Sequence, residues 1–303
     1  RVETMHTPGG TGALRVAGDL LSAIEPGAAV WLSTPTWPNH PQVFGAAGLP
    51  VRSYPYLGED GELDIETMLR VLRSVPAGDV VVLHGCCHNP TGIDPTAAQW
   101  ELIADAVSEA GALPLLDFAY QGFADGLDED AKGLRALLAR ERTMLVASSF
   151  SKNFALYDER VGALSIVGAD AAETATLLSH AKAVIRSNYS NPPAHGGEIV
   201  ATVLSDPALT ERWIGEVGVM RDRINGNRAR FVQGLQAAGA PGDHGSLMRQ
   251  RGMFSLLPLG EERVARLRDE FGVYVVGKGR VNVAGLTAEN LEPVCRAIAA
   301  VTA

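Results

Sequence analysis

The sequence predicts an α/β protein whose mostly parallel central sheet is wrapped by helices. One observation is that short, almost continuously apolar runs alternate with helical patterns through the first two thirds of the chain, as in wound α/β domains. A second is that apolar and polar residues do not alternate in these runs, as they would in a sheet with one face exposed to solvent. Both faces of each strand are therefore expected to be covered by helices. The predicted strands are 30–32, 79–84, 113–117, 144–148 and 163–167.

Helices are predicted between these strands. The first begins after Thr11, where apolar residues recur on one helical face as far as Ile24. The second is expected to begin at Asp94, because the proline that follows it is favoured in the first turn of a helix. The inward stripe of this second helix comprises Trp100, Ile103, Ala104 and Val107.

The last third of the chain has a different pattern. From about Asp206 the sequence is long and helical, and it then moves to two short strand candidates at 252–257 and 280–284. We interpret this part as a smaller C-terminal α+β lobe. The predicted division is a large domain, residues 1–219, and the C-terminal part of a small domain, residues 220–303.

Composition and charge narrow the class of partner. The chain has 303 residues, 46% hydrophobic and 20% charged, which is ordinary for a globular protein. Its net charge of −9 argues against nucleic acid, which binds positive surfaces. No run is long enough to span a membrane, and no signal peptide is visible. Cys86 and Cys87 are adjacent and imply no disulfide framework, so a cytoplasmic location is expected.

Polar side chains follow three of the predicted strands. Asn89 comes soon after strand 79–84, Asp117 ends strand 113–117 with Tyr120 close behind, and Lys152 follows strand 144–148. Because open α/β sheets bind ligands beyond the carboxyl ends of their strands, these groups are expected along one edge.

This set of groups fits pyridoxal 5′-phosphate (PLP). A lysine can bond covalently to the cofactor aldehyde, and a carboxylate can keep the ring nitrogen protonated so that the ring withdraws electrons. An amide and a phenol can hydrogen-bond the ring oxygen. A helix start, a hydroxyl and a guanidinium can bind the phosphate. These phosphate donors are Gly10, Thr11, Ser149 and Arg160.

At this point the chain resembles the class I PLP aminotransferases of the aspartate/aromatic type, because the motifs of that family recur in its order along nearly the whole sequence. They are TPGGTGALR (7–15), PTWPNH (35–40), HNPTG (88–92), DFAYQGF (117–123), SSFSKNFALYDERVG (148–162), RSNYSNPP (186–193) and GRVNVAG (279–285). The resemblance implies PLP fold type I and ping-pong transfer of an amino group between aspartate, together with aromatic amino acids, and 2-oxoglutarate. It also implies a cytoplasmic homodimer with shared active sites.

The resemblance also assigns roles to individual residues. Lys152 corresponds to the covalent lysine that also carries the transferred proton, with Asp117 as partner of the ring nitrogen and Tyr120 as a ring-oxygen partner. His40 and His84 correspond to positions near Asp117. Cofactor contacts fall on Gly10, Thr11, Trp37, Asn89, Asp117, Tyr120, Ser149, Lys152 and Arg160. Substrate contacts fall on Arg280, Arg186, Trp37 and Asn89.

Two arginines would suit a substrate with an anion at each end. Arg280 corresponds to the residue that holds the α-carboxylate, and Arg186 to the residue that enters the partner subunit's site and holds a side-chain carboxylate. Ser190 and Asn191 lie beside Arg186 in sequence. A guanidinium can pair with a carboxylate through two parallel hydrogen bonds, so each arginine suits one end of aspartate or glutamate.

The chain departs from the family pattern in three places. Ala155 stands where close relatives are expected to have glycine, and Lys278 where a serine is usual. The stretch that precedes the TPGGTG motif in the family, including part of the small domain, is expected to be missing.

Other interpretations stay open beside the transaminase. The enzyme could prefer aromatic amino acids, the fold could serve a PLP-binding regulator, or the cofactor could support a lyase or decarboxylase. Ser149-x-x-Lys152 matches the S-x-x-K motif of serine β-lactamases, but the K-T-G partner motif is absent. A zinc site at Cys86 and Cys87 is disfavoured, since adjacent cysteines converge poorly on one tetrahedral ion. No metal is expected.

Overall fold

The computed structural model describes residues 1–141 and 143–303. The strands are β1 Val2–Pro8, β2 Val30–Thr34, β3 Val51–Pro55, β4 Val80–His84, β5 Leu113–Phe118, β6 Met144–Ser149, β7 Val161–Val167, β8 Phe254–Leu256 and β9 Arg280–Asn282. The α-helices are α1 Gly9–Ile24, α2 His40–Ala46, α3 Ile65–Leu72, α4 Ala97–Ala110, α5 Lys132–Leu138, α6 Ala171–Asn188, α7 Ala194–Ser205, α8 Pro207–Ala237, α9 Gly260–Phe271 and α10 Leu291–Thr302.

The described residues form a seven-stranded main sheet in the order β1-β7-β6-β5-β4-β2-β3. Strands β3, β2, β4, β5 and β6 are parallel. This direction was predicted for β2, β4, β5 and β6, whereas β3 was not predicted. The prediction is wrong for β7, which runs antiparallel to both β6 and β1. The segment between β6 and β7 contains no helix to cross over the sheet, and antiparallel neighbours need none. An apolar run reports burial and not direction, so the sequence of β7 could not reveal its orientation.

The two predicted helix starts are displaced. Helix α1 begins at Gly9, before Thr11. Helix α4 begins at Ala97, not at Asp94, because Thr96 caps it through the backbone N–H of Gln99, whose side chain returns a bond to Thr96. The carboxylate of Asp94 accepts instead from two backbone N–H groups of the loop that follows β4.

The core lies on both faces of the sheet. Side chains of β4 alternate between the two sides: Val81 and Leu83 pack against α3, α4 and α5, whereas Val80 and Val82 pack against α1 and α2. All of β4 is buried, as expected for a parallel strand covered by helices on both faces. This sandwich holds the carboxyl ends of β4, β5 and β6 side by side.

The C-terminal region forms the predicted smaller α+β unit. Its core joins the end of α8 to α9, α10 and the antiparallel pair β8 and β9. Helix α8 runs without a break from Pro207 to Ala237, so the division between residues 219 and 220 stays a prediction. In the described parts of the chain, no helix combines the length and apolarity needed to cross a membrane.

Candidate active site

One pocket collects all nine predicted cofactor contacts at the carboxyl ends of β4, β5 and β6. Its lining comprises Gly10, Thr11, Leu14, Trp37, His84, Asn89, Asp117, Ala119, Tyr120, Ser149, Ser151, Lys152, Tyr157 and Arg160. The structure therefore brings these nine residues together at one edge of the sheet, and their individual roles stay predictions.

The end of the pocket formed by Asp117, His40, Thr36 and His84 is called the carboxylate end. His40 Nε2 lies 2.9 Å from Asp117 Oδ2, and since an ionised carboxylate only accepts, His40 donates this bond. His40 Nδ1 lies 2.8 Å from Thr36 Oγ1, which lies 3.2 Å from His84 Nε2. In the His40 tautomer that donates from Nε2, Nδ1 accepts the Thr36 proton, and the Thr36 oxygen then accepts from His84.

Asp117 carries its charge in a buried setting, with 8% of its surface exposed. Burial alone would raise the pKa of Asp117, but the hydrogen bond from His40, together with the positive charge of Lys152, holds it below the ordinary value. Burial also keeps the pKa of His84 well below its ordinary value, so His84 is neutral. Asp117 therefore stays an anion at neutral pH.

Lys152 lies between the two ends of the pocket. Its Nζ is 4.6 Å from the centroid of the Tyr120 ring and 5.9 Å from that of Tyr157. Burial lowers the pKa of Lys152; Asp117 opposes this shift and Arg160 adds to it. A lowered pKa increases the neutral fraction of the amine, which is the form that bonds to an aldehyde.

Asn89 joins the pocket to the C-terminal lobe. Its Nδ2 donates to the Tyr120 hydroxyl at 3.4 Å, and its Oδ1 accepts from Arg280 at 2.9 Å. The Arg280 guanidinium also lies 4.5 Å above the centroid of the Phe254 ring. Burial, followed by the Asp117 charge, raises the pKa of Tyr120, so its phenol keeps its proton.

The opposite end, formed by Gly10, Thr11, Ser149 and Arg160, is called the arginine end. Helix α1 begins here, and within the described chain no side chain caps its first N–H groups. A Cβ placed on Gly10 would lie 2.9 Å from Ser149 Cβ, so the backbone must approach closely. Arg160 donates to the Tyr157 carbonyl at 3.0 Å. Helix N-terminus, hydroxyl and guanidinium together suit an anion such as a phosphate.

The predicted residue Arg186 is not part of this pocket. It lies near the end of α6 and is exposed. Sequence reasoning also missed Thr36 and Tyr157. Thr36 lies inside the quoted motif PTWPNH, but only the fold shows that its hydroxyl bridges two histidines from different segments.

The two adjacent cysteines are buried behind the pocket. Cys86 and Cys87 come close to Asp130, whose carboxylate oxygens accept backbone N–H groups of Gly122, Ala124, Asp125 and Gly126. The Asp130 carboxylate therefore holds the loop after β5 through these hydrogen bonds. Burial raises the pKa of Cys87 to about 11, which keeps this thiol protonated.

A lysine and a buried carboxylate that share a pocket with a helix-terminal anion site, at the carboxyl edge of a mostly parallel sheet, define a PLP-dependent enzyme of fold type I. Residues 1–298 match the family described as aminotransferase class I and II. The chain belongs to this family, and the predicted family, fold class, cofactor and aminotransferase activity are confirmed.

Individual relatives cover nearly the whole chain. It is 55% identical over 302 residues to an aspartate aminotransferase of Escherichia coli, covering 99% of this chain and 76% of the relative. It is 48% identical to an aromatic-amino-acid aminotransferase of Pseudomonas aeruginosa, over 100% of this chain and 76% of that protein. The crystal structure of an aromatic-amino-acid aminotransferase from Burkholderia pseudomallei, covalently bound to pyridoxal phosphate, superposes with a TM-score of 0.97 at 47% identity, covering 100% of this chain and 76% of that one.

Proposed function

We propose that the pocket transfers the α-amino group between aspartate, together with aromatic amino acids, and 2-oxoglutarate in a ping-pong reaction. The observation that carries the proposal is that Lys152 and Asp117 line one pocket, with Arg280 bonded to its Asn89. The amino acid leaves its nitrogen on the enzyme and departs as a keto acid, and the second keto acid then collects that nitrogen. Relatives that bear aspartate and aromatic names support both substrate types.

Each end of the pocket has a proposed task. When bound, PLP withdraws electrons from the substrate and so stabilises negative charge at its α-carbon. Asp117 keeps the ring nitrogen protonated, while Asn89 and Tyr120 bind the ring oxygen. Lys152, which would hold the cofactor through its amine, would carry the α-proton as general base and then acid. The phosphate would be held by Gly10, Thr11, Ser149 and Arg160, and Trp37 would contact the ring.

The proposed substrate contacts use both arginines. Arg280 clamps the α-carboxylate, and its bond to Asn89 orients the guanidinium. Arg186 lies on the exposed surface of α6, where it is available to a second copy of the chain. We therefore assign it to the side-chain carboxylate in the partner's site, within a homodimer.

A preference for aromatic amino acids is the second candidate. The observation that favours it is the apolar character of the residues around Arg280, where Phe254 lies under the guanidinium and meets Tyr120 edge-on at 6.2 Å. Aromatic substrate rings pack well against such faces.

A cytoplasmic location completes the proposal, and it is supported by three free, buried cysteines in the described structure.

Two substitutions test the proposal. Lys152→Ala should abolish the visible absorbance that PLP acquires on bonding to the protein.

Arg186→Leu should reduce kcat/KM for aspartate and glutamate by about a hundredfold, as expected for loss of a charge-assisted pair, with a much smaller loss for tyrosine and phenylalanine. Lys182→Leu, which removes an exposed cation one turn earlier on α6, is the control. Equal losses for all four substrates in Arg186→Leu contradict its assigned role.

A further inference from the structure

The loop that carries Lys152 adopts a backbone conformation that its own sequence does not favour. Ala155 has φ of 56° and Arg160 has φ of 55°, both in the left-handed region where only glycine is at ease. Ala155 closes a turn by donating its N–H to the Lys152 carbonyl at 3.0 Å. Contacts from outside the loop must therefore hold this turn in place.

Those contacts come from helix α8. Trp213 Nε1 donates to the carbonyl of Asn153, the residue after the lysine, at 2.8 Å. The Trp213 ring also stacks on Phe154, with centroids 4.4 Å apart and planes inclined by 25°. Phe154 in turn meets Phe150 edge-on at 5.5 Å. One side chain of α8 thus touches both residues that follow Lys152.

The same face of α8 supports the neighbouring pocket loop. Val217 lies one turn after Trp213 and packs so closely that a Cβ on Gly122 would lie 2.6 Å from it. Arg221, one turn further, donates to the Gly122 carbonyl at 3.3 Å. Residues four apart share a helix face, so a single stripe of α8 contacts the loop after Lys152 and the loop after Tyr120.

Farther along, α8 holds the segments that carry Arg280. Asn227 Nδ2 donates to the carbonyls of Val283 and Leu286 at 3.1 and 2.9 Å. The buried Arg228 donates to the Gly252 carbonyl and, at 3.4 Å, to the Ser255 hydroxyl. One continuous helix therefore connects the lysine loop with the strand pair that presents the substrate arginine.

We propose that Trp213 is a positioning residue: its indole N–H and ring fix the strained loop 152–155, and so set where the amine of Lys152 stands in the pocket. The inference rests on the proposed role of Lys152. It assigns to Trp213 no contact with substrate or cofactor. Its effect is exerted through the Asn153 carbonyl and the Phe154 ring.

The test is Trp213→Phe in the PLP-loaded protein, since phenylalanine keeps a ring for Phe154 and deletes the donor to Asn153. The pH at which the visible absorbance band titrates should move, and added PLP should bond more slowly to the unloaded variant. Loss of one hydrogen bond predicts a kcat about fivefold lower, with a smaller change in KM. Adding Ala155→Gly removes the cost of the left-handed turn. The double variant should therefore recover most of the lost kcat, the bonding rate and the original titration of the band.

Trp100→Phe is the matched control. Trp100 is buried, with 2% of its surface exposed, and its Nε1 has no hydrogen-bond partner among the described residues, so the same atoms are removed away from the lysine loop. This variant should change thermal stability but not the titration of the band. Unchanged titration in Trp213→Phe, an identical shift in Trp100→Phe, or no rescue by glycine overturns the proposal. A wild-type protein without the band instead refutes the role of Lys152.

Discussion

Negative charge at the carboxylate end of the pocket is buried and paired within the chain, whereas positive charge at the arginine end faces the solvent. Asp117 receives its hydrogen bond from His40, which is fully buried. Arg160 donates to the neutral oxygens of Tyr157 and Ser151, and among the residues that the structure describes no carboxylate forms an ion pair with it.

This difference indicates how the chain divides the work of binding one cofactor. A carboxylate that must remain charged during the reaction needs fixed partners, because an unpaired buried anion would take up a proton. The donors at the arginine end should bind a phosphate most strongly when no carboxylate of the chain competes for their hydrogen bonds. The two ends also act on Lys152 with opposite sign, since Asp117 raises its pKa and Arg160 lowers it.

Breaking the carboxylate end should have the largest effect. Asp117→Asn keeps the shape but removes the charge, so the ring nitrogen loses the partner that keeps it protonated. Removing one member of a buried pair costs about 3–5 kcal/mol, and kcat/KM for aspartate should fall by about a hundredfold to a thousandfold or more. Steady-state kinetics with aspartate and 2-oxoglutarate measure the loss.

The matched control is Asp79→Asn. Asp79 is as buried as Asp117, with 8% of its surface exposed, but it lies just before β4 at the opposite edge of the sheet and accepts from Ala29 N–H and Trp31 Nε1. This change should lower the melting temperature and leave kcat nearly unaltered. A loss of less than tenfold in Asp117→Asn speaks against the assigned role of the carboxylate.

Breaking the arginine end should weaken cofactor binding rather than turnover. Arg160→Ala removes a charge-assisted contact worth about 1.5–3 kcal/mol, so the Kd for PLP should rise about tenfold to a hundredfold. Arg160→Lys keeps the charge but loses the planar fork, so its Kd for PLP should lie between that of the unaltered protein and that of Arg160→Ala. Fluorescence titration of the unloaded protein gives the Kd, and Arg135→Ala at an exposed site is the control. An unchanged Kd contradicts the proposed phosphate contact.

The opposing influence of the two ends on Lys152 predicts a pH dependence. Because the pKa of Lys152 lies below its ordinary value of 10.5, the rate at which PLP bonds to the protein should rise with pH about tenfold per unit while the amine is protonated, and level off below 10.5. The plateau should move to higher pH in Arg160→Ala and to lower pH in Asp117→Asn. Shifts in the same direction in both variants contradict the assigned charges.

The central part of the fold and most of the pocket could be predicted from sequence because both depend on local signals. Strands β4, β5 and β6 are almost entirely apolar, and Asn89, Tyr120 and Lys152 follow them, while Asp117 lies near the end of β5. The two strands that were not predicted, β1 and β3, form the edges of the main sheet. Their sequences are partly polar and about half of their residues are exposed, since an edge strand is buried less and is protected by charged or polar groups.

Contacts between distant segments could not be predicted. The bond from Trp213 to Asn153 joins residues 60 positions apart, and neither the spacing nor the residue types of either segment indicate it. The direction of β7 was hidden for the same reason. The role of Arg186 stays a prediction, because its side chain is exposed in the single chain and its proposed contact needs a second copy of the chain.

The smallest effect is expected at the outer part of the carboxylate end, where Thr36→Val removes the hydroxyl between His40 and His84. Asp117 keeps its bond from His40, but the imidazole loses the second hydrogen bond that orients its ring, so kcat should fall about fivefold, as for one net hydrogen bond of about 1 kcal/mol. The acidic limb of the kcat profile should shift as well, because a less constrained His40 changes the proton affinity of Asp117. Thr302→Val, which removes a hydroxyl bonded only within α10 in the described structure, should alter neither quantity. If Thr36→Val leaves the profile unchanged, the carboxylate end reduces to Asp117 and His40 alone, and its contrast with the arginine end rests on that single pair.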